Sequence, residues 1–337
     1  MTACGYLWGV PAPTRLAPVA VPAVVEWCRS RRLRRPMLVG GRSLTATPHG
    51  LGIVHGLEAE GLAVWAFDRA ASPSLVAVAD AVAGYSFENC DCVIAIGGGV
   101  AMEVARAAAL MTAQRSPYRE LAAEPGAEGK PVDASGIPAL LAVPATPAAA
   151  LAVGAAAWIA DDAGIARPIR HPALRPGEAI LAADLIAAVP SAVGERSAAL
   201  AALIAADAGV PDPELAGLLA DAAAAADPMR AALGLAAAVE GAGGPRRRIA
   251  LTAAVASGAD FAATMAALAA PASWLDGVRA RLGPPPGDAP PPDARMVRAA
   301  RSACGPEDAA DLDGVAAAAG LDGTDAPRRR GRQGRVA

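Results

Sequence analysis

The sequence predicts an α/β protein in which a doubly wound parallel sheet is followed by helices. Short apolar runs, rich in β-branched residues, alternate with helical stretches between residues 36 and 144. Such near-continuous apolar runs are typical of parallel strands that are buried on both faces. Residues 208–245 instead contain two alanine-rich helical stretches. Ligands of a doubly wound sheet bind at the carboxyl ends of its strands, so the residues that follow each predicted strand are the candidates for function.

The clearest unit covers residues 91–106. Asp91 precedes five apolar residues, then three glycines, then apolar residues at helical spacing with Glu103 in the first turn, where the helix dipole favours a carboxylate. The unit is therefore predicted to be strand, glycine turn and helix. Glycines allow positive φ and a close approach of backbone N–H groups, so a pyrophosphate fits at this helix start. A plain tight turn is the alternative, because the glycines lack the spacing of the Rossmann fingerprint.

The other elements follow from the same patterns. A serine beside Pro73 is predicted to cap a helix with the proline early in its first turn. The predicted elements, in order, are a helix over Val21 to Arg32, a strand from Pro36 ending in Gly40 and Gly41, a helix over His49 to Glu60, a strand over Ala63 to Asp68, a helix over Leu75 to Tyr85, a polar loop over Gln114 to Gly136 and a strand over Ala139 to Pro144.

Composition and charge limit the classes of partner. A chain of 337 residues suggests two domains or one large domain. A net charge of −3 gives no reason to expect a specific nucleic-acid partner. The five cysteines, an odd and scattered set, form no disulfide or zinc framework, which fits a reducing cytosol. The N-terminus lacks the pattern of a signal peptide, so we expect a cytoplasmic protein.

One uncharged span raises the question of a membrane helix. Residues 137–160 are long enough to cross a bilayer. Pro138, Pro144 and Pro147 interrupt this span, and much of it is weakly apolar alanine. We therefore predict that it does not lie in a membrane.

The central unit resembles a segment of known enzymes. Asp91, Ile94, Ala95, the three glycines and Ala105 match the pattern Asp-x-x-Ile-Ala-x-Gly-Gly-Gly-Ser-x-x-Asp-x-Ala-Lys of iron-containing (group III) alcohol dehydrogenases. That superfamily also holds maleylacetate reductases, glycerol dehydrogenases and dehydroquinate synthases. The departures are Val100 for serine, Glu103 for aspartate and Arg106 for lysine. The resemblance implies a dehydroquinate synthase-like fold, with a Rossmann-like N-terminal nucleotide-binding domain, an all-α C-terminal domain and an active-site cleft between them.

The resemblance also implies a nicotinamide cofactor, NADP or NAD. Relatives that use NAD often carry an acidic residue just past the first strand of the nucleotide domain. Here Gly40 and Gly41 leave room, and Arg42 with Ser43 are suited to a 2′-phosphate, which favours NADP. In the turn after Pro144 only that proline and Thr146 match the family. Arg167 stands where relatives place a lysine near the cofactor, and a solvated arginine is the alternative. The predicted cofactor-binding residues are Gly40, Ser43, Gly97, Gly98, Gly99, Val100, Glu103, Thr146 and Arg167.

The family's metal ligands are missing from the matching positions. The family motif Gly-x-Asp-Ala-Leu-x-His-Ala carries two ligands four residues apart, and here Ala198 and Ala202 occupy those positions; the third ligand position falls near Ala270. The chain's three histidines, at 49, 55 and 171, all precede this region. The resemblance therefore predicts that the family's iron or zinc is absent and leaves the catalytic residues unknown. The nearby polar candidates for an electrophile are Ser191, Glu195, Arg196 and Ser197.

These patterns divide the chain into three regions and leave two functions open. We expect an α/β dinucleotide-binding domain over 1–187, a helical domain with a degenerate metal site over 188–282, and a proline-rich linker, short helix and basic disordered tail over 283–337. The first function is an NAD(P)-dependent alcohol dehydrogenase or carbonyl reductase that is metal-independent or weakly active on a small alcohol or carbonyl compound. The second is an inactive pseudoenzyme acting as a nucleotide-binding or structural partner subunit, within a homodimer or paired with an intact homologue.

Overall fold

The structure is a computed structural model that describes residues 6–7, 12–122, 129–161, 166–190, 193–194 and 197. The predicted all-α domain over 188–282 lies outside these residues except at 188–190, 193–194 and 197, and the predicted region 283–337 lies wholly outside them. The strands are β1 (Tyr6–Leu7), β2 (Thr14–Ala17), β3 (Pro36–Val39), β4 (Trp65–Phe67), β5 (Cys92–Gly97), β6 (Ala139–Pro144), β7 (Ala156–Ala160), β8 (Ala166–Arg170) and β9 (Glu178–Ala182). The helices are α1 (Ala20–Ser30), α2 (Ser43–Ala46), α3 (Pro48–Ala59), α4 (Leu75–Phe87), α5 (Gly99–Met111), α6 (Tyr118–Leu121), α7 (Pro147–Leu151) and α8 (Ala183–Ala187), with a 3₁₀ turn at Pro172–Leu174.

The predicted parallel sheet is confirmed and forms the centre of the described residues. Its strand order is β1-β2-β9-β6-β5-β3-β4. The strands from β2 to β4 in this order are all parallel, and only β1 pairs antiparallel, with β2. Strands β7 and β8 form a separate antiparallel pair. All parallel strands end at one edge of the sheet, which we call the carboxyl edge.

Helices α3 and α4 begin at residues whose side chains cap them. The Thr47 hydroxyl accepts a hydrogen bond from Gly50 N–H at 3.1 Å and begins α3. Ser74 does the same for Ala77 N–H at 3.2 Å and begins α4. Each cap satisfies a backbone donor that the helix itself leaves without a partner. Pro73 precedes the capping serine, so the prediction that it lies in the first helical turn was wrong.

Two short helices replace irregular structure that the sequence predicted. Helix α6 lies inside the predicted polar loop, where Tyr118 is 5% exposed and Leu121 is equally buried. Helix α7 follows β6 where a turn was predicted, because Pro147 supplies the fixed φ of a first helical position. The uncharged span from 137 to 160 is thus divided into β6, α7 and β7. In the part of the chain that the structure describes, no helix combines the length and apolar character needed to cross a bilayer.

The core lies on both faces of the sheet. On one face, Ile94 and Ile96 of β5 pack in a buried cluster with α1 and α3, which includes the fully buried Trp27. On the other face, α4 and α5 pack with β7 in a second cluster that includes Leu110 and Ile159. Burying one large apolar side chain contributes about 1.5–3 kcal/mol. The two clusters therefore hold helices against both faces, as the doubly wound arrangement requires.

Candidate functional site

The carboxyl edge contains a point where the chain reverses its direction across the sheet. Strand β3 pairs with β4 on one side and with β5 on the other. The helix after β3, α3, packs on one face, whereas α5, the helix after β5, packs on the opposite face. The two connections therefore diverge above the ends of β3 and β5, where an open α/β sheet of this topology forms a crevice. Crevices at such topological switch points are the usual ligand sites of open α/β sheets.

The turn after β5 borders this crevice and is bare of side chains. Gly97 has φ +111°, a conformation that side chains rarely adopt. Gly98 caps α5 in an extended conformation, with φ −84° and ψ 176°. Among the described atoms, none would lie within 4 Å of a Cβ added at either glycine, and a Cβ on Gly99 would meet only Ala148 O at 3.9 Å. Val100, half-buried, follows in the first turn of α5. The backbone here is open to a ligand.

The turn after β3 borders the same crevice but is closely packed. Gly40 N–H donates to Phe67 O at 2.9 Å. A Cβ on Gly40 would lie 3.0 Å from Leu44 Cδ2 and 3.1 Å from Leu44 Cβ. The next residue, Gly41, has room, because the nearest atom to its Cβ position is Ala70 O at 4.0 Å. Ser43 begins α2 with an exposed side chain.

Some of the charged groups near the turn after β3 contact other side chains of the protein. The hydroxyl of Thr45, in α2, donates to the carboxylate of Asp68, the residue that follows β4. Arg42 is exposed at the start of α2. Arg69 lies with its guanidinium carbon 5.4 Å from the Phe67 ring centre. The rim of the crevice beside β3 therefore presents the exposed Arg42, while the Asp68 carboxylate is bonded to the Thr45 hydroxyl.

Glu103 and Arg106 fix α5 to the β7–β8 side of the molecule. A Glu103 carboxylate oxygen accepts from Trp158 N–H at 2.8 Å and lies 2.8 Å from Arg106 Nη2. Arg106 is 2% exposed and also donates to Gly154 O at 2.8 Å and to Met102 O at 3.2 Å. These contacts give the acidic residue of the family motif a structural partner. Its predicted contact with a cofactor stays a prediction.

A buried tyrosine completes this side. Tyr118 donates from its hydroxyl towards Ala157 O at 3.0 Å and Arg167 O at 3.1 Å. Burial, and then the charge of Glu103, raise the pKa of the Tyr118 phenol far above its ordinary value. Arg167 itself lies in β8, where its Nε is 3.1 Å from an oxygen of Asp161. This residue therefore has an acidic partner within the β7–β8 pair, and its predicted role near a cofactor stays a prediction.

The turn after β6 lies beside the bare turn after β5. Ala145 N–H donates to Gly97 O at 2.9 Å. Thr146, which is 8% exposed, is the capping residue of α7. Ala148 N–H, in the first turn of α7, donates to the hydroxyl of Ser197 at 2.9 Å. Thus Gly97, Thr146 and Ser197 come together at the carboxyl edge, although only the first two were predicted as cofactor residues.

The described residues do not fit a metal ion. Within the ranges that the structure describes, no group of three or more His, Cys, Asp or Glu side chains could hold one. His49 and His55 are exposed on α3, and His171 accepts from Ala173 N–H at 3.1 Å to cap the 3₁₀ turn. The ligand positions that the resemblance assigns to Ala198, Ala202 and Ala270 lie outside the described residues.

The parallel sheet and the glycine-bordered switch point define a doubly wound α/β protein with its ligand crevice above β3 and β5. Residues 14–183 match the family described as iron-containing alcohol dehydrogenase. That stretch is half of the chain, and the chain belongs to the iron-containing alcohol dehydrogenase family. The predicted resemblance is confirmed. No sequence among curated proteins matches the chain.

Solved structures of the same fold are similar over nearly the whole chain. A sulfoacetaldehyde reductase from Bifidobacterium kashiwanohense in complex with NAD+ shares 17% identity and a TM-score of 0.63, with 96% of this chain and 100% of that chain covered. A maleylacetate reductase from Agrobacterium tumefaciens shares 21% identity and a TM-score of 0.53, with coverages of 97% and 94%. An iron-containing alcohol dehydrogenase from Thermococcus thioreducens shares 16% identity and a TM-score of 0.61, with 93% of each chain covered. Identities of this size show a shared fold.

Proposed function

We propose that the chain binds a nicotinamide dinucleotide in the crevice above β3 and β5 and interconverts an alcohol and a carbonyl compound. The observation that carries this proposal is the bare turn at Gly97 and Gly98, which opens a 13-residue helix at the topological switch point. Membership of the iron-containing alcohol dehydrogenase family supports the reaction class. The NAD+ complex of the similar sulfoacetaldehyde reductase supports the choice of cofactor.

Each side of the crevice has a part in this binding. The N–H groups at the start of α5 attract the pyrophosphate, and the missing side chains let the backbone approach it. We expect Thr146, which follows β6 and caps α7, to contact the part of the cofactor beyond the pyrophosphate. When bound, the nicotinamide supplies the group that accepts or donates a hydride. The protein's own contribution is to hold the substrate carbon against that group and to stabilise the charge on its oxygen.

We propose NADP over NAD as the preferred cofactor. No side chain projects from Gly40 or Gly41 to accept hydrogen bonds from ribose hydroxyls, and Asp68 is bonded to Thr45. The exposed guanidinium of Arg42 at the same rim suits a 2′-phosphate, because a guanidinium can donate two parallel hydrogen bonds to two phosphate oxygens. Replacing Arg42 by alanine should therefore weaken NADPH binding and leave NADH binding unchanged.

We propose that the reaction needs no metal. The positions that match the family ligands are alanines, whose side chains cannot coordinate a metal ion. The charge that develops on the substrate oxygen must then be stabilised by hydrogen-bond donors of the protein. Metal analysis of the purified protein tests this point: stoichiometric iron or zinc would contradict it.

A second candidate function is a nucleotide-binding subunit without turnover. The alanines at 198, 202 and 270 favour it, since substitutions of this kind remove Lewis-acid catalysis that contributes several kcal/mol. In that case the chain would act in a homodimer or pair with an intact homologue. Co-purification of such a homologue from the native host, with activity only in the pair, would support this candidate.

One experiment separates the two candidates. The purified full-length chain is titrated with NADPH and NADH while nicotinamide fluorescence is followed, and oxidation of NADPH is then measured with propanal, butanal and benzaldehyde. We expect dissociation constants of about 1 µM to 1 mM, the order of magnitude of typical enzyme KM values. Binding with turnover supports the oxidoreductase, and binding without turnover supports the non-catalytic subunit. Absence of binding by either nucleotide contradicts both.

A further inference from the structure

We propose that the hydroxyl of Ser197 is a catalytic hydrogen-bond donor that binds the oxygen of the carbonyl substrate. This inference rests on the proposed oxidoreductase function and names the group that stabilises the oxygen. Ser197 lies outside the nucleotide-binding strands and turns, and no cofactor contact is assigned to it. It reaches the carboxyl edge of the sheet because its side chain is bonded to α7.

A short series of contacts places Ser197 beside the crevice. Gly97 O is bonded to Ala145 N–H at 2.9 Å, which joins the ends of β5 and β6. Ala148 O lies 3.9 Å from the position of a Cβ on Gly99, so the first turns of α5 and α7 adjoin. The N–H of the same Ala148 donates to Ser197 Oγ at 2.9 Å. The Ser197 hydroxyl and the bare turn therefore both adjoin Ala148, at the start of α7.

The bond to Ala148 uses an acceptor position of the Ser197 hydroxyl and not its proton. A hydroxyl has one donor and two acceptor positions, and here an acceptor position is used by a backbone N–H. Within the described residues, the hydroxyl has no assigned acceptor for its own proton. Accepting one hydrogen bond polarises a hydroxyl and strengthens it as a donor. A half-buried hydroxyl of this kind is suited to hold a substrate oxygen as negative charge develops on it.

Other polar groups near this edge are bonded to other parts of the protein or are buried. Glu103 and Arg106 bind each other and the backbone of the β7 region. Arg167 is bonded to Asp161 in the β7–β8 pair. Thr146 is buried to 8% exposure under the start of α7. Ser197 differs from these groups. Its side chain is half-buried, and among the described residues its hydroxyl proton has no hydrogen-bond acceptor.

The step balances with the cofactor as the only redox partner. The carbonyl carbon gains a hydride, with its electron pair, from the reduced nicotinamide, which becomes oxidised. The π pair of the C=O bond moves onto oxygen, which is held by the Ser197 proton. The oxygen takes a proton from water, either directly or through Ser197, which recovers its own proton from water. The products are the alcohol, the oxidised cofactor and hydroxide, which buffer neutralises.

The test compares Ser197→Ala with Ser197→Thr, using Ser30→Ala as a matched control. The Ser30 hydroxyl donates to Trp27 O in the last turn of α1, so this control removes a hydroxyl elsewhere. In Ser197→Ala, kcat for propanal reduction should fall by about 100-fold, the usual effect of losing one oxyanion donor. The dissociation constant of NADPH should stay unchanged. Ser197→Thr keeps a hydroxyl and should retain most of the activity.

A binding measurement provides a readout besides activity. Isobutyramide carries a carbonyl oxygen that cannot be reduced, and its binding to the NADPH complex is followed by nicotinamide fluorescence. Ser197→Ala should weaken this binding, whereas Ser30→Ala should not. Unchanged kcat and unchanged isobutyramide binding in Ser197→Ala would overturn the inference while leaving the proposed function intact. Failure of the wild-type chain to turn over any aldehyde would instead overturn the proposed function.

Discussion

Two glycine turns border the same crevice, yet their glycines serve different purposes. After β3, the position of a Cβ on Gly40 is already crowded by Leu44 at 3.0 Å. After β5, Gly97 has positive φ, and no described atom lies within 4 Å of its Cβ position. The first turn needs glycine because the chain packs closely. The second needs glycine because of its backbone conformation and leaves open space in front of it.

This difference shows why counting glycines does not locate a binding site. A crowded glycine supports the fold, whereas an uncrowded one at a helix start supports a ligand. The open turn also depends on what holds its helix. Helix α5 is fixed in its second turn by Glu103 and Arg106, so the glycines at its start take no part in that attachment. The predictions below test this division of roles.

The largest effect should come from the contacts that fix α5. Glu103→Ala leaves the guanidinium of Arg106, 2% exposed, without its carboxylate and removes the acceptor of Trp158 N–H. Breaking a buried ion pair on one side costs about 3–5 kcal/mol. Urea unfolding should show that the free energy of unfolding falls by this amount. Glu60→Ala, which removes an exposed pair with Arg29, is the control and should cost less than about 1 kcal/mol. Equal losses would contradict the role assigned to Glu103.

The next effect is on binding at the open turn. Gly97→Ala adds a side chain at positive φ, which costs about 1–2 kcal/mol of stability. It also blocks the approach of the pyrophosphate to backbone donors, and losing charge-assisted hydrogen bonds of about 1.5–3 kcal/mol should weaken NADPH binding by about 100-fold. Fluorescence titration measures this. Gly61→Ala, at φ +83° in the turn after α3, carries the same strain and should bind NADPH normally. Weakened binding in both variants would point to strain as the cause.

A smaller effect is expected at the crowded turn. Gly40→Ala pushes a methyl group against Leu44, and overpacking of this kind costs about 1–3 kcal/mol. Stability should therefore fall in urea unfolding, with little change in NADPH affinity. Gly52→Ala, in α3 and with open space around its Cβ position among the described atoms, is the control and should not destabilise the protein. Lost NADPH affinity without lost stability in Gly40→Ala would reverse the roles of the two turns.

The smallest effect concerns cofactor preference. Gly41→Asp adds a carboxylate where the nearest described atom is 4.0 Å from the Cβ position. The carboxylate should accept hydrogen bonds from ribose hydroxyls and repel a 2′-phosphate. We expect the ratio of NADPH to NADH affinity to fall by about tenfold, equivalent to about 1.4 kcal/mol. Gly41→Asn has the same shape without the charge and should shift the ratio less. An unchanged ratio would argue against recognition of the 2′ position at this turn.

The sheet could be predicted because several of its strands are short apolar runs of consecutive residues. The apolar run before the three glycines became β5, and the stretch from Ala139 became β6 over the predicted residues. The family was also readable from the motif around the glycines. Strand β2 was not predicted, since its four residues include Arg15, which is buried through ion pairs with Glu178 and Glu26. From the sequence alone, a charged residue such as Arg15 is predicted to lie on the surface, because its ion-pair partners are not known.

The site was only partly predictable. The glycines and Thr146 were predicted as cofactor residues because they follow strands or match the family pattern, and this assignment stays a prediction. The contacts of Glu103 could not be foreseen, because Trp158 lies 55 residues away in the chain. The bond between Ala148 and Ser197 joins residues 49 positions apart, and no periodicity connects them. Distances of this kind are set by tertiary packing, which a local pattern does not contain.

The shortness of β4 has a consequence for self-association. This strand ends the sheet on one side in the described residues and offers only Trp65–Phe67. An exposed edge strand is a template on which a strand of another chain can pair. A very short edge strand offers few backbone hydrogen bonds for this pairing. Fibre growth by addition of strands on this side is therefore disfavoured.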